Sequence, residues 1–520
     1  MTPIRVPRLS HQLPRLRRPI AALLCAHLLL AACGATEPLA AGHGSASAGG
    51  RWPAPAPAVL ATPPVATTAQ RGDPAMPNFE APSATHCARP IQTTEIPGSG
   101  QDRRRPKVGM PAPKPAASAV AALAEIAPSP PPTPAAPVVA PAADAMAKSA
   151  PPAVGAMPPA RRESTTVAVA RQPATEPVTA GMVDDNADFG EYLAFRGRTQ
   201  VAHRERDVSE RYLLQVRDPG GAAIPDAEVA VQAANGAAMW ARTDAGGRAW
   251  LHPRAFDAGN APLYEVTVRK NGRQATSFLR RGQKNAVDVV LESPGAQPAR
   301  ARLDLVFLID ATGSMGDEIA RLRSTLRTIA DEVARLPSRP DTCFGLVAYR
   351  DTTDEFAVRR HDFTNDLDAF QGVLNALQAA GGGDYPEAMN EALHDTVHRL
   401  SWRGDDTTRL VVLLADAPPH LDYGGPQYDD DMAAALGKGI KVFSVGASGL
   451  DRQGEYIQRQ IAQYTGGRFV FLTYANAANP ASGPGTQTVH DVGNYSVQTL
   501  DRLVVRLVTE ELGQLPSTGG

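Results

Sequence analysis

Cysteine is scarce in this chain. It has 4 in 520 residues, scattered at Cys25, Cys33, Cys87 and Cys343, a pattern that implies no disulfide framework and no thiolate metal centre. A dominant charge is missing too: 52 Lys and Arg face 54 Asp and Glu. No nucleic-acid surface, and no nucleic-acid partner, is expected from that balance. No nucleophile elbow and no phosphate-cradling glycine loop is visible, which removes two common signatures of hydrolases and nucleotide-using enzymes. The apolar stretch nearest the start, Ile20 to Ala32, falls short of the roughly 20 residues that a membrane-spanning helix needs.

That short stretch follows Arg5, Arg8, Arg15, Arg17 and Arg18, so residues 1–32 read as an export signal. It ends in Leu30, Ala31, Ala32 and Cys33, which resembles a bacterial lipobox. The resemblance implies that Cys33 is acylated, that the lipid on it tethers the chain to a membrane, and that the protein belongs to the cell envelope. Gly34 stands where an inner-membrane retention signal would carry aspartate, so the outer membrane is expected. Residues 33–184 are mostly Ala, Pro, Ser, Thr and Gly. Such a segment buries too little apolar surface to offset its ordering entropy, and it is expected to be a disordered tether with reach as its contribution.

Six short runs between 210 and 292 are separated by turn signals such as DPGG, DAGG and KNG, a spacing that suggests a small β-sandwich. VRDPGGAAIPDAEVAVQ followed by TDAGGRAWL resembles carboxypeptidase-regulatory or bacterial immunoglobulin-like modules. Asp218, Asp226 and Asp244 are expected to serve its turns.

The most informative segment is LDLVFLIDATGSM. An unbroken apolar run predicts a strand buried on both faces, and its end carries Asp310, Thr312 and Ser314 at i, i+2 and i+4. Three oxygen side chains at the carboxyl end of a parallel strand make a cradle for a hard divalent cation. A helix cap is the competing use of Ser314. Two further segments favour the cation: GGGDYPE brings Asp384 on a glycine loop, and RLVVLLADAPPH ends a second apolar strand in Asp416.

Together these motifs resemble the von Willebrand factor type A domain, over about Arg302 to Ala475. The subgroup with DATGSM, YRD, GGGDxPE and DAPPH matches best, and some of its members adjoin an atypical protein kinase domain. The resemblance implies a metal-ion-dependent adhesion site of Asp310, Thr312, Ser314, Asp384 and Asp416, with Asp351, Glu387 and His420 as neighbours supporting those ligands. Mg²⁺ is the expected cation, with Mn²⁺ or Ca²⁺ as alternatives. Asp384 stands where integrin receptors carry threonine. A third carboxylate should weaken the ion's pull on an acidic group of a partner.

The implied fold is α/β, a doubly wound, mostly parallel six-stranded sheet across residues 301–475. Expected strands are Leu303 to Ile309, Thr342 to Tyr349, Glu355 to Phe363 as a polar edge, Arg409 to Ala415, Lys441 to Val445 and Arg468 to Leu472. Residues 476–514 form a loop and a closing helix, with Leu500, Leu503, Val504, Leu507, Val508 and Leu512 on one side. LPSTGG, residues 515–520, resembles a sorting motif but is expected to be a flexible tail. The expected function is metal-dependent binding of another protein, for adhesion or complex assembly. The alternatives are a metal-dependent hydrolase with His420 or Glu387 as base, which lacks a second metal cluster to support it, and a spacer without a working site.

Overall fold

The computed structural model describes residues 87, 91–99, 177–292, 300–383, 385–404 and 406–516. The export signal, Cys33, Asp384 and residues 517–520 lie outside them. In chain order the first elements are β1 (Thr93–Pro97), β2 (Thr179–Val183) and α1 (Phe189–Arg198). The small middle region follows with β3 (Tyr212–Arg217), β4 (Glu228–Ala233), β5 (Ala238–Arg242), β6 (Arg248–Leu251), α2 (Pro253–Phe256), β7 (Leu263–Lys270), β8 (Arg273–Arg280) and β9 (Ala286–Val290). Next come β10 (Arg302–Asp310), α3 (Gly316–Ala334), β11 (Asp341–Tyr349), β12 (Phe356–Thr364), α4 (Leu367–Ala376), α5 (Met389–His398) and β13 (Thr407–Ala415). The chain closes with α6 (Tyr428–Lys438), β14 (Ile440–Gly446), α7 (Arg452–Tyr464), β15 (Phe469–Thr473), β16 (Gln498–Thr499) and α8 (Leu500–Leu512).

The large sheet has the order β1-β12-β11-β10-β13-β14-β15-β2-β16. Its centre, β11-β10-β13-β14-β15, is parallel. Unbroken apolar strands suit this position because successive residues feed opposite cores. Leu303, Leu305, Phe307 and Ile309 join the core made with α3, α4 and α8, whereas Val306 and Leu308 join the one made with α5, α6 and α7. All six apolar residues of α8 named above are buried, and this burial contributes on the order of 10 kcal/mol before entropy is subtracted.

Several expectations need correction. Among the described residues the sheet has nine strands rather than six, because β1 and β2 come from the stretch read as tether and β16 from the loop ahead of α8. β12 is therefore not an edge: β1 pairs antiparallel along it. Short strands such as TTEIP and TAGMV have almost no periodic signal of their own, and pairing with a long neighbour supplies the hydrogen bonds that stabilise them. Cys87 and Cys343 form a disulfide, with Cα atoms 5.8 Å apart and a sequence separation of 256. Cys87 is buried, and its carbonyl accepts from the Asn365 N–H at 2.8 Å. Nothing local in sequence reveals a pairing across that distance.

The middle region forms a three-stranded sheet, β6-β3-β9, and a four-stranded sheet, β5-β4-β7-β8. β8 was not expected, because its side chains are mostly exposed and its pattern is polar. Buried residues of both sheets share one apolar cluster with α5, α6 and α7. Asp218 and Asp244 serve turns, accepting the Ala222 N–H at 2.8 Å and the Gly246 and Arg248 N–H groups at 2.9 Å. Asp226 departs from that role. It is buried, accepts from Arg242 at 2.7 Å and from Arg409 at 2.9 Å, and so ties the small sheets to the foot of β13.

Candidate metal centre

β10 and β13 run parallel, so Asp310 and Asp416 emerge together at the carboxyl end of the sheet. The loop after β10 folds tightly on itself. Asp310 Oδ1 accepts both the Thr312 N–H at 2.9 Å and the Thr312 hydroxyl at 2.7 Å, and the Thr312 and Ser314 hydroxyls lie 3.1 Å apart. Ser314 sits in a short 3₁₀ turn, Gly313–Met315, and makes no side-chain cap to α3. The capping use of this serine is thus not the one the fold adopts.

The glycine loop closes over this turn. The Gly313 N–H donates to the Gly381 carbonyl at 3.2 Å, and the Gly382 N–H donates to Asp354 Oδ2 at 2.8 Å. Gly381 and Gly382 have φ of +79° and +78°, a conformation open to glycine. A Cβ on Gly381 would also lie 2.2 Å from Asp354 Oδ1, so another residue there would displace the carboxylate that holds the loop. Asp384 follows at once but lies outside the described residues. Glu387 joins the second loop to the third: its N–H donates to the Pro418 carbonyl at 3.1 Å. His420 Nε2 meets Asp351 Oδ1 at 3.0 Å, which places both at the same end of the sheet.

The electrostatics are unusual for a protein interior. Asp310, Asp416 and Glu387 are buried, and one oxygen of each (Oδ2, Oδ1 and Oε2) has no hydrogen-bond partner among the described residues. Burial and then the charge of Asp416 push Asp310 up to about 7. Burial, followed by Asp310, Asp351, Asp354 and Asp416, pushes Glu387 up to about 10. Asp416 is raised by burial. Burial also acts on Asp351, but hydrogen bonds from His420 and Thr353 outweigh it and hold that carboxyl well below the usual range. Buried acceptors without donors are rare in native proteins. Three in one electrostatically linked group, beside a loop with two hydroxyls, fit a hard divalent cation, which prefers oxygen ligands.

Two residues at this site escaped sequence reading. Asp354 anchors the glycine loop, and its only signal is its place three residues after Asp351. Tyr385 stands at the rim with 49% of its surface exposed, next to Asp384 in sequence, and its hydroxyl accepts the Asp451 N–H at 3.3 Å.

Comparison with known proteins bears on the domain that holds these residues. The family model described as von Willebrand factor A domain matches residues 304–419. An α-protein kinase, vwkA of Dictyostelium discoideum, is 31% identical over 121 residues, 23% of this chain and 19% of the kinase. Human integrin beta-6 is 23% identical over 299 residues, 49% of this chain and 36% of the integrin. The chain thus spans well under half the length of either relative. Among solved structures, the pilus adhesin SpaC from Lactobacillus rhamnosus GG shares 14% identity over 40% of this chain and 30% of its own, with a TM-score of 0.25, a likeness too slight to carry an argument. The matched segment contains most of β10, the 3₁₀ turn, the glycine loop and β13 with the Asp416 that follows it: residues 304–419 are a von Willebrand factor A domain, set here within a sheet of nine strands among the described residues.

Proposed function

We propose that this chain is a metal-dependent protein-binding module of a lipid-anchored envelope protein. The observation that carries the reading is the set of three buried, partnerless carboxylate oxygens of Asp310, Asp416 and Glu387 beside the Thr312 and Ser314 hydroxyls. Asp310, Thr312, Ser314, Asp384 and Asp416 would hold a Mg²⁺-class cation. Such an ion, when bound, offers a coordination position to an oxygen from a partner. Tyr385 presents an exposed ring at the rim, the kind of side chain that anchors protein contacts.

The relatives support a protein-interaction role of a general kind, since integrins are among them. The envelope part of the reading rests on the lipobox-like LAAC at Cys33 and gains support from the Cys87–Cys343 disulfide, a bond that persists in oxidising compartments.

Mg²⁺ or Mn²⁺ should raise the thermal midpoint of the full chain, and Asp310→Ala with Ser314→Ala should abolish the rise. Absence of any metal response in the unaltered chain overturns the reading. Affinity capture with and without chelator then tests the partner. Metal-dependent turnover across ester, phosphate or peptide panels would replace binding by hydrolysis. Cys33→Ala should release the protein from the membrane fraction.

A further inference from the structure

The sequence shows no second metal cluster, but the fold brings together side chains of the types that could ligate a metal ion. His394 and His398 stand one turn apart on α5 and face Asp431 of α6. His394 Nδ1 and His398 Nε2 each lie 3.0 Å from the same oxygen, Asp431 Oδ1. All three candidate ligand atoms fall within 4.8 Å of one another. The two rings are 4.5 Å apart between centroids.

A hydrogen-bonding account of this arrangement is incomplete. Asp431 is only 3% exposed, yet one of its oxygens is shared by two imidazoles while the other, Oδ2, is buried without a partner among the described residues. Two neutral rings can each donate one N–H to Oδ1, but that leaves the buried Oδ2 without a donor. A cation replaces both ring protons and accepts the carboxylate at once. Residues four apart on a helix present both imidazoles to one side, and tetrahedral zinc with bonds of 2.0–2.2 Å sets its ligand atoms about 3.3 Å apart. The two 3.0 Å separations to Asp431 need to open by a few tenths of an ångström, and the two ring nitrogens, within 4.8 Å of each other, need to close by at most about 1.5 Å, a shift within reach of side-chain rotation. About a third of each histidine side chain remains exposed, so solvent reaches the cluster.

We propose that His394, His398 and Asp431 form a second cation site, selective for Zn²⁺, Co²⁺ or Ni²⁺ over Mg²⁺, with a coordination position open to solvent. The donor set decides the selectivity: imidazole nitrogens suit these ions, whereas Mg²⁺ takes oxygen. Three protein ligands and an open position is the arrangement that leaves room for water or for a group from another molecule. This site is separate from the oxygen-only cradle of Asp310, Asp416 and Glu387, and it does not depend on the function proposed for that cradle.

The test uses the full chain after removal of metals by chelator. The background carries Asp310→Ala and Ser314→Ala, so that the oxygen site cannot contribute. Titration calorimetry should then show Zn²⁺ uptake, and Co²⁺ should give visible absorption bands of a nitrogen- and oxygen-ligated ion. Adding His394→Gln and His398→Gln should remove one Zn²⁺ equivalent and the Co²⁺ bands. The glutamines keep hydrogen-bonding capacity beside Asp431, and circular dichroism should confirm an unchanged fold. In a chain with only the two glutamines, the Mg²⁺ response of the thermal midpoint should persist. Zn²⁺ uptake and Co²⁺ spectra that are the same with and without the histidines overturn the proposal, as does a background chain that binds neither ion.

Discussion

The two ends of the central sheet treat buried charge in opposite ways. At the amino end, the Arg403 side chain reaches Asp304 at 2.6 Å and Asp341 at 2.9 Å, while Arg409 and Arg242 share Asp226. Lys441 reaches Glu511 of α8 at 2.6 Å, and Lys270 of the small sheets reaches Asp406 at 2.6 Å. At the carboxyl end, Asp310, Asp416 and Glu387 gather, and one oxygen of each has no hydrogen-bond partner among the described residues. Burial acts on both ends, yet it lifts Glu387 to about 10, whereas Arg242, Arg409 and Lys270 overcome it and hold Asp226 well below the usual carboxylate range. Pairing makes a buried carboxylate architectural. One left unpaired keeps an oxygen open to a ligand.

The sharpest way to break this comparison is to disturb the paired end. Asp226→Asn should destabilise the chain by about 3–5 kcal/mol in denaturant unfolding, because Arg242 and Arg409 lose a buried counter-charge. The lowered Asp226 value means that its stabilisation is present above the ordinary carboxylate range and is lost as pH falls below it. The variant's stability should accordingly fall less steeply than the parent's below about pH 4. An equal acid slope would remove Asp226 from the account.

The unpaired end should answer in the other direction. Saturating Mg²⁺ at about a hundred times its dissociation constant should add about 2.7 kcal/mol. Asp310, raised to about 7, favours the metal-free fold most at acidic pH, and that contribution is lost as pH rises from the carboxylate range through 7. The gain from Mg²⁺ should therefore be larger at pH 8 than at pH 5, and a gain that shrinks on that path contradicts the assignment. Asp310→Asn should stabilise the metal-free protein at pH 8 by roughly 1–3 kcal/mol while cancelling the Mg²⁺ response. A loss of stability instead would place Asp310 with the paired charges.

The smallest effect concerns the character of the cradle. Asp384→Thr should weaken Mg²⁺ binding while strengthening capture of an acidic peptide by the bound ion, both read by titration calorimetry. No change in either affinity would mean that the third carboxylate does not temper the ion.

Periodicity and motif made much of the central domain legible. Apolar strands closing on Asp310 and Asp416 could be read because a buried parallel strand has a continuous apolar signature and the loop after it carries the chemistry. Asp366 caps α4 through the Asp368 and Ala369 N–H groups, a local signal carried by an acidic residue just ahead of a helix. Asp354 was illegible, because an acidic residue in a polar loop looks alike whether it meets solvent or anchors a glycine turn. β1 and β2 were hidden in a Pro/Ala-rich composition that carries no period.

What the sequence determined by itself was therefore local: strand and helix patterning, the DATGS turn and the acidic residues that follow two apolar strands. The tertiary structure decided which distant groups meet. It paired Cys87 with Cys343, set Asp226 under Arg409, and brought His394 and His398 to Asp431. Spacing along the chain specifies neighbours only within a helix turn or a strand. Contacts across 256 residues depend on how whole elements pack, and that information is spread over the cores on both faces of the sheet.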